Sequence, residues 1–191
     1  MYITINMQFK YISDLHIYDI TSTDWRPNFP NLDLYAIHLI DTWNAFTDPT
    51  DIIIIVGDIG HYCPKTIDVL RHLNGTKILV MGNHDISWGS NVYTCGVFSG
   101  VHEFIDQNNI HIQHIPETYT GTCQFYIHGH HHKYDMPGMQ NKLQQYARDT
   151  CRLNCAADLN NHHPCTLQEL IMNKEVVLDK YRGMGLLKEV Y

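Results

Sequence analysis

The chain lacks any long apolar run. Its longest aliphatic stretch is Ile52-Ile53-Ile54-Ile55-Val56, far short of the ~20 residues a membrane-crossing helix requires. No basic segment followed by an apolar one opens the sequence, and Met1 to Ile12 reads as a strand. A cytoplasmic protein with no membrane partner is therefore expected. Basic residues are also scarce: 13 Lys and Arg against 20 Asp and Glu give a formal net charge of −7. That balance argues against stable binding of duplex nucleic acid, which normally requires a basic face. It leaves open a small phosphate-bearing substrate, such as a nucleotide, met at a metal centre. Internal repeats, low-complexity segments and linker-like stretches are missing too. One domain over residues 1–191 is expected, long enough for a full core and too short for two large ones. The apolar fraction of 44% is that of a globular chain. Six cysteines in an intracellular chain of this size read as reduced thiols and not as a disulfide framework.

Histidine, by contrast, is abundant, with 14 copies. Several fall in Ile127-His128-Gly129-His130-His131-His132. If Gln124 to His128 is a strand, Gly129 lets the backbone turn at its end, and His130 and His132 can be aimed at one point. Imidazole is the commonest neutral ligand for borderline divalent metals, so His-x-His at a strand end suggests a metal site. The plain alternative is a solvated His-rich loop.

Other strand ends repeat the theme. Phe9 to Ile12 runs into Asp14-Leu15-His16, and the carboxyl end of a strand is where sites form in open α/β sheets. The alternative there is an Asx-turn with a surface histidine. Asp51 to Val56, a β-branched run suited to a central strand buried on both faces, ends in Gly57-Asp58-Ile59-Gly60. Lys77 to Met81 ends in Gly82-Asn83-His84-Asp85. Between these strands, Leu32, Ala36, Leu39, Ile40, Trp43 and Phe46 recur at helical steps. A second helix opens at Pro64, turns Ile67 and Leu70 inward and closes at Asn74-Gly75. The alternation predicts a mainly parallel α/β sheet.

The rest is patchier. Val101 to Ile105 reads as a strand or a helical turn. Ile110 to Ile115 alternates as a strand stopped by Pro116, with His114 at its end and His111 structural. Lys133 to Thr150 has no clear period beyond one turn at Leu143 to Tyr146. Leu153 to Ala157 reads as a strand. Thr166-Leu167-Gln168-Glu169 is a capping box that starts a short helix through Met172. In the long loop Tyr18 to Asn31, Trp25 and Arg26 are candidate substrate contacts, with packing of Trp25 and Phe29 onto the body as the plain reading. His61 could likewise reach a substrate or sit idle on the rim. Cys151, Cys155, His162, His163 and Cys165 are loosely finger-like, but their spacing fits no common zinc knuckle or ribbon, so buried thiols are expected.

Taken in order, Asp14-x-His16, Gly57-Asp58-x-Gly60, Gly82-Asn83-His84-Asp85, His114 and Gly129-His130-x-His132 resemble the calcineurin-like metallophosphoesterase family. The likeness covers nearly the whole chain, whose brevity resembles that of small bacterial and phage members. It implies a two-sheet β-sandwich flanked by helices, a four-layer αββα arrangement. It also implies two divalent ions drawn from Mn, Fe, Zn, Ni or Co, with Mn favoured. By position, one ion would be held by Asp14, His16, Asp58 and His132, the other by Asp58, Asn83, His114 and His130. Asp58 would bridge, because two divalent ions roughly 3.5–4 Å apart need an anion between them. His84 would serve the leaving oxygen as acid, Asp85 would orient His84 or hold the turn, and Asn83 would also touch substrate. His128 and His131 should point away. The reaction implied is hydrolysis of a phosphate ester by a metal-bridging hydroxide, with a phosphodiester favoured by the presence of His84. The alternatives are a phosphomonoesterase acting on a metabolite or phosphoprotein, and a phosphoesterase-fold scaffold that only binds.

Overall fold

The computed structural model describes residues 7–187 apart from Trp25, Pro30, Thr120 and the side chain of Asp24. The expected contact at Trp25 and the first half of the expected N-terminal strand lie outside the described residues. Among the described residues, eight strands form two four-stranded sheets. The first sheet is wholly parallel, in the order β1 (Phe9–Ile12), β2 (Ile52–Val56), β3 (Thr76–Val80), β4 (Phe98–His102). The second runs β5 (Ile105–Gln107), β6 (Ile110–Ile112), β7 (Phe125–His128), β8 (Arg152–Asn154), antiparallel between β5 and β6 and parallel beyond. The helices are α1 (Leu32–Ala45), α2 (Pro64–His72), the short α3 (Asn91–Thr94), α4 (Gln140–Arg148) and α5 (Leu167–Gly183).

Alternation along the strands sets the layers. Ile12, Ile53, Ile55 and Leu79 turn to one face of the first sheet and pack with Ala36, Leu39 and Trp43 of α1 and Ile67 and Leu70 of α2. Their neighbours Tyr11, Ile54, Val56 and Val80 turn the other way and meet Ile112, Ile127 and Leu153 of the second sheet. A third cluster joins Leu143 and Tyr146 of α4 to Val177, Leu178 and Tyr181 of α5. The whole is an α/β sandwich with one core between the sheets and one beneath α1 and α2. Among the described residues, no helix is long and apolar enough to cross a membrane.

Several elements depart from the sequence reading. Val101 to Ile105 is neither one strand nor a turn; it is the junction of β4 and β5, which belong to different sheets. The strand expected over Ile110 to Ile115 ends at Ile112, because His114 leaves the ladder to enter the site, and that over Leu153 to Ala157 ends at Asn154. The single turn expected at Leu143 to Tyr146 is part of a longer helix, α4, and α5 continues eleven residues beyond Met172 to Gly183. The capping box at Thr166 and Glu169 is present. Of the apolar positions spaced for a helix, Phe46 falls just past the end of α1 and is exposed, while Tyr35, outside that set, is buried. Tyr35 lies under the Arg26 guanidinium, 4.3 Å from its ring centre, and Phe46 stacks on His163 at 4.1 Å.

Candidate metal centre

The strand ends converge at one edge of the sandwich. Asp14, His16, Asp58 and His130 all adopt left-handed backbone angles, with φ of 58°, 45°, 57° and 70°. Such angles are uncommon outside glycine and concentrate where a site holds the chain against its preference. Gly129, by contrast, does not have positive φ; the turn expected of it is made by His130. Glycine is needed there for space, since a Cβ would lie 2.5 Å from Ser13 Oγ and 2.6 Å from Asp14 Oδ2. A Cβ on Gly82 would collide with the Asp58 carboxylate. Both glycines let backbone come up against an acid that the site needs.

Three groups of donors able to hold a metal ion result among the described residues, two of them at the strand ends, Asp14, His16 and His132, and Asp58, His114 and His130, and a third at the mouth, His16, Asp19 and His84. In the first, His132 Nε2 lies 3.3 Å from Asp14 Oδ1 and 3.2 Å from His16 Nε2. In the second, His114 Nε2 lies 3.2 Å from Asp58 Oδ2 and 3.1 Å from Asn83 Oδ1. Asp58 Oδ2 is also 3.7 Å from His16 Nε2, so one carboxylate touches both groups. Imidazole nitrogens and carboxylate oxygens turned toward one another are the donor set that borderline divalent metals take.

Electrostatics follow from burial and pairing. Burial alone would raise the Asp58 carboxyl, yet the hydrogen bond and charge of His114, with the His84 amide, hold it well below the usual carboxylate range. Burial would lower His114, but Asp58 and Asp14 push it up to about 9. His132 is raised because Asp14 and Asp158 outweigh its burial. His16 and His130 are lowered, by burial first and then by the charge of His132 and of His114 respectively. The other ring nitrogens are anchored: His114 Nδ1 to Val56 O at 2.7 Å, His16 Nδ1 to Asp19 at 3.1 Å, and His132 Nδ1 to Asp158 at 3.0 Å. Partners of this kind fix ring orientation and raise ligand basicity.

Asp19 and Asp158 were not singled out in the sequence. Asp19 follows His16 by three residues, a local signal that could have been read. Asp158 is 26 positions from His132 and has no local signal at all. Arg26 was expected to touch substrate; instead it is buried, and its guanidinium donates to Asp158 and to the Asp14 and Leu15 carbonyls. It thereby braces the turn that carries Asp14 and Leu15. The Asp85 carboxylate turns inward and accepts the amide hydrogens of Asp58, Ile59 and Gly82 at 2.8–2.9 Å. Of its two expected roles the structure shows the second, holding the turn.

The remaining residues lie at the mouth. Asn83 and His84 are exposed, and the His84 amide donates to Asp58 Oδ1 at 2.9 Å. The His84 ring is 5.0 Å from that of His16, with Nδ1 3.9 Å from Asp19. His61 lines the same cleft as Asp19 and His84. Trp88 lies wholly beneath, donating to Gly60 O. His128 and His131 are buried away from both groups; His131 meets Glu117 and Lys142. Cys155 and Cys165 are buried thiols, held protonated first by burial, Cys165 up to about 12. Among the described residues no metal-capable group contains a cysteine.

No protein-family profile matches this chain, and no curated protein matches it. Two solved structures are similar. One is the protein of unknown function AQ665 from Aquifex aeolicus, 22% identical, with 86% of this chain and 98% of that one covered at a TM-score of 0.65. That likeness speaks for the fold alone. The other is the nuclease MPE of Pseudomonas putida, 25% identical over 65% of this chain and 61% of that one, at a TM-score of 0.41.

Proposed function

We propose that the protein is a metal-dependent phosphoesterase of the calcineurin-like kind, with a dinuclear centre, acting on phosphodiesters. The observation that carries this reading is Asp58. A single buried carboxylate faces His114 from one donor group and His16 from the other, which is what a pair of adjacent cations would require between them. The residues fit such ions: Asp14, His16, Asp58 and His132 would hold one, and Asp58, Asn83, His114 and His130 the other. Bound there, divalent ions supply Lewis-acid activation of water and of the phosphoryl group.

The chain's own residues do the rest. Asn83 adds a neutral oxygen, which keeps the centre electropositive enough to attract a phosphate. Asp19 and Asp158 keep the His16 and His132 rings aimed. His84 is pinned by its amide to Asp58 and turns Nδ1 toward Asp19, so Nε2 is the nitrogen placed to give a proton to the leaving oxygen. A poor alkoxide leaving group gains most from that acid.

The test uses metal-stripped protein with Mn²⁺, Ni²⁺ or Zn²⁺ restored, assayed on p-nitrophenyl phosphate and bis(p-nitrophenyl) phosphate. Metal-dependent turnover favouring the diester is expected. In His84→Ala, kcat on a diester with an alkoxide leaving group should fall by about 10²–10⁴, and much less on the nitrophenyl diester. Full-length protein that neither binds metal nor turns over either ester would defeat the proposal.

A further inference from the structure

Two clefts open from the candidate centre, one lined by His84 and the other by its neighbour Asn83. The His84 cleft is about 480 Å³ and includes Tyr18, Asp19 and His61. The Asn83 cleft is about 320 Å³, shares His114 with the centre, and is lined further by Ile86, Tyr93, Glu103 and Gln113. Among the described residues neither cleft is lined by a lysine or arginine; their carboxylates are Asp19 in the first and Glu103 in the second. The nearby guanidinium of Arg26 is buried and spent on Asp158 and two carbonyls.

The Asn83 cleft also presents large apolar groups to solvent. Ile86 is 71% exposed and Tyr93 68%, and each forfeits burial that a flat apolar group laid against it would restore. Charge and surface point the same way. One phosphate charge is met at the centre; a second phosphate beyond it would find no cation and would face Glu103.

We infer that the substrate is a singly charged phosphodiester whose retained substituent is an uncharged aromatic or apolar group seated against Ile86 and Tyr93, with the leaving group on the His84 side. This inference rests on the phosphoesterase reading above. In the reaction, the oxygen of one water bonds to phosphorus and the P–O bond to the leaving group breaks. The leaving oxygen takes one proton, a second proton is released from the water, and the retained substituent departs as a phosphomonoester. A nucleoside without further phosphates satisfies the cleft. An oligonucleotide, whose next phosphate follows within one sugar, does not.

The experiment uses the Mn²⁺-restored full chain and four diesters sharing the p-nitrophenolate leaving group: the methyl, phenyl and thymidine-5′ esters, and the thymidine-5′ ester carrying a 3′-phosphate. The phenyl and thymidine esters should exceed the methyl ester in kcat/KM by about five-fold or more, mostly through KM, as one aromatic contact would give. The added 3′-phosphate should remove at least that advantage, and Glu103→Gln should restore part of it. Tyr93→Ala and Ile86→Ala should each bring the phenyl-to-methyl ratio toward one. Equal rates for methyl and phenyl esters, a preference for the 3′-phosphorylated ester, or a ratio untouched by both variants would overturn the inference while leaving the phosphoesterase reading intact. Failure to hydrolyse any of the four with metal present would overturn both.

Discussion

His130 and His132 share five consecutive positions with His128 and His131, yet the two pairs live in opposite surroundings. The inner pair, with His16 and His114, faces Asp14, Asp58 and Asp158. The outer pair belongs to none of the donor groups and lies near Arg152 and Lys142, and the carboxylate His131 meets, Glu117, is shared with that lysine. Burial pushes His128 far down, and it takes His131 to about 4 even beside Glu117. The same burial is overcome at His114 and His132. A count of histidines is therefore no count of metal donors; at His114 and His132 it is the facing carboxylates that outweigh burial.

The sharpest way to break the comparison is Asp58→Asn. The amide keeps the shape and one oxygen but removes the charge that both donor groups face. Metal content by elemental analysis should fall to background and turnover with it, whereas His131→Gln should retain metal. Equal metal loss in both variants would mean that the inner and outer histidines are not distinct.

The next largest effect is on the stability of metal-free protein against pH. His131 binds its proton less readily when folded, so its contribution is intact above pH 6.5. It is lost as pH falls toward about 4, at a cost of roughly 3 kcal/mol at the bottom of that window. His114 is raised, so its contribution is full below pH 6.5 and lost as pH rises toward about 9. Urea titrations from pH 4 to 9 should therefore show stability falling on both sides of neutrality. His131→Gln should flatten the acid side only. Added metal should flatten the alkaline side, because bound imidazole is already neutral. An acid limb unchanged in His131→Gln would contradict this assignment.

The smallest expected effect probes the support behind one ligand. Asp19→Asn leaves His16 in place and weakens the partner of its Nδ1. Metal affinity, measured by competition with a chelator, should drop by about 10–100-fold. A drop of that size in Lys142→Ala, which meets His131 and Glu117, would blur the boundary between the two sets.

Much of this was legible in the sequence wherever the determinants were local. The strand ends carrying Asp14, Asp58 and Asn83, the Pro64 start of α2 and the Thr166 capping box each announce themselves within a few residues. What escaped depends on distant partners. Asp158 acquires its meaning only when β8 delivers it beneath His132 and Arg26. Tyr35 is buried because Arg26 covers it, which no helical spacing encodes. The α4 segment is mostly polar, and only Leu143 and Tyr146 face inward, so its periodicity was too sparse to read. Asp85 looked catalytic by adjacency to His84, yet its oxygens answer to amides from two different turns.

Those amides have a consequence for assembly. Asp85 joins the turn after β2 to the turn after β3 across at most 27 positions of chain, whereas Asp14 receives the His130 amide across 116. Closing the shorter loop costs less entropy and demands less search. Half of the centre is thus expected to set first, with the Asp58 carboxylate held in it, and the half bearing His114, His130 and His132 to dock after it.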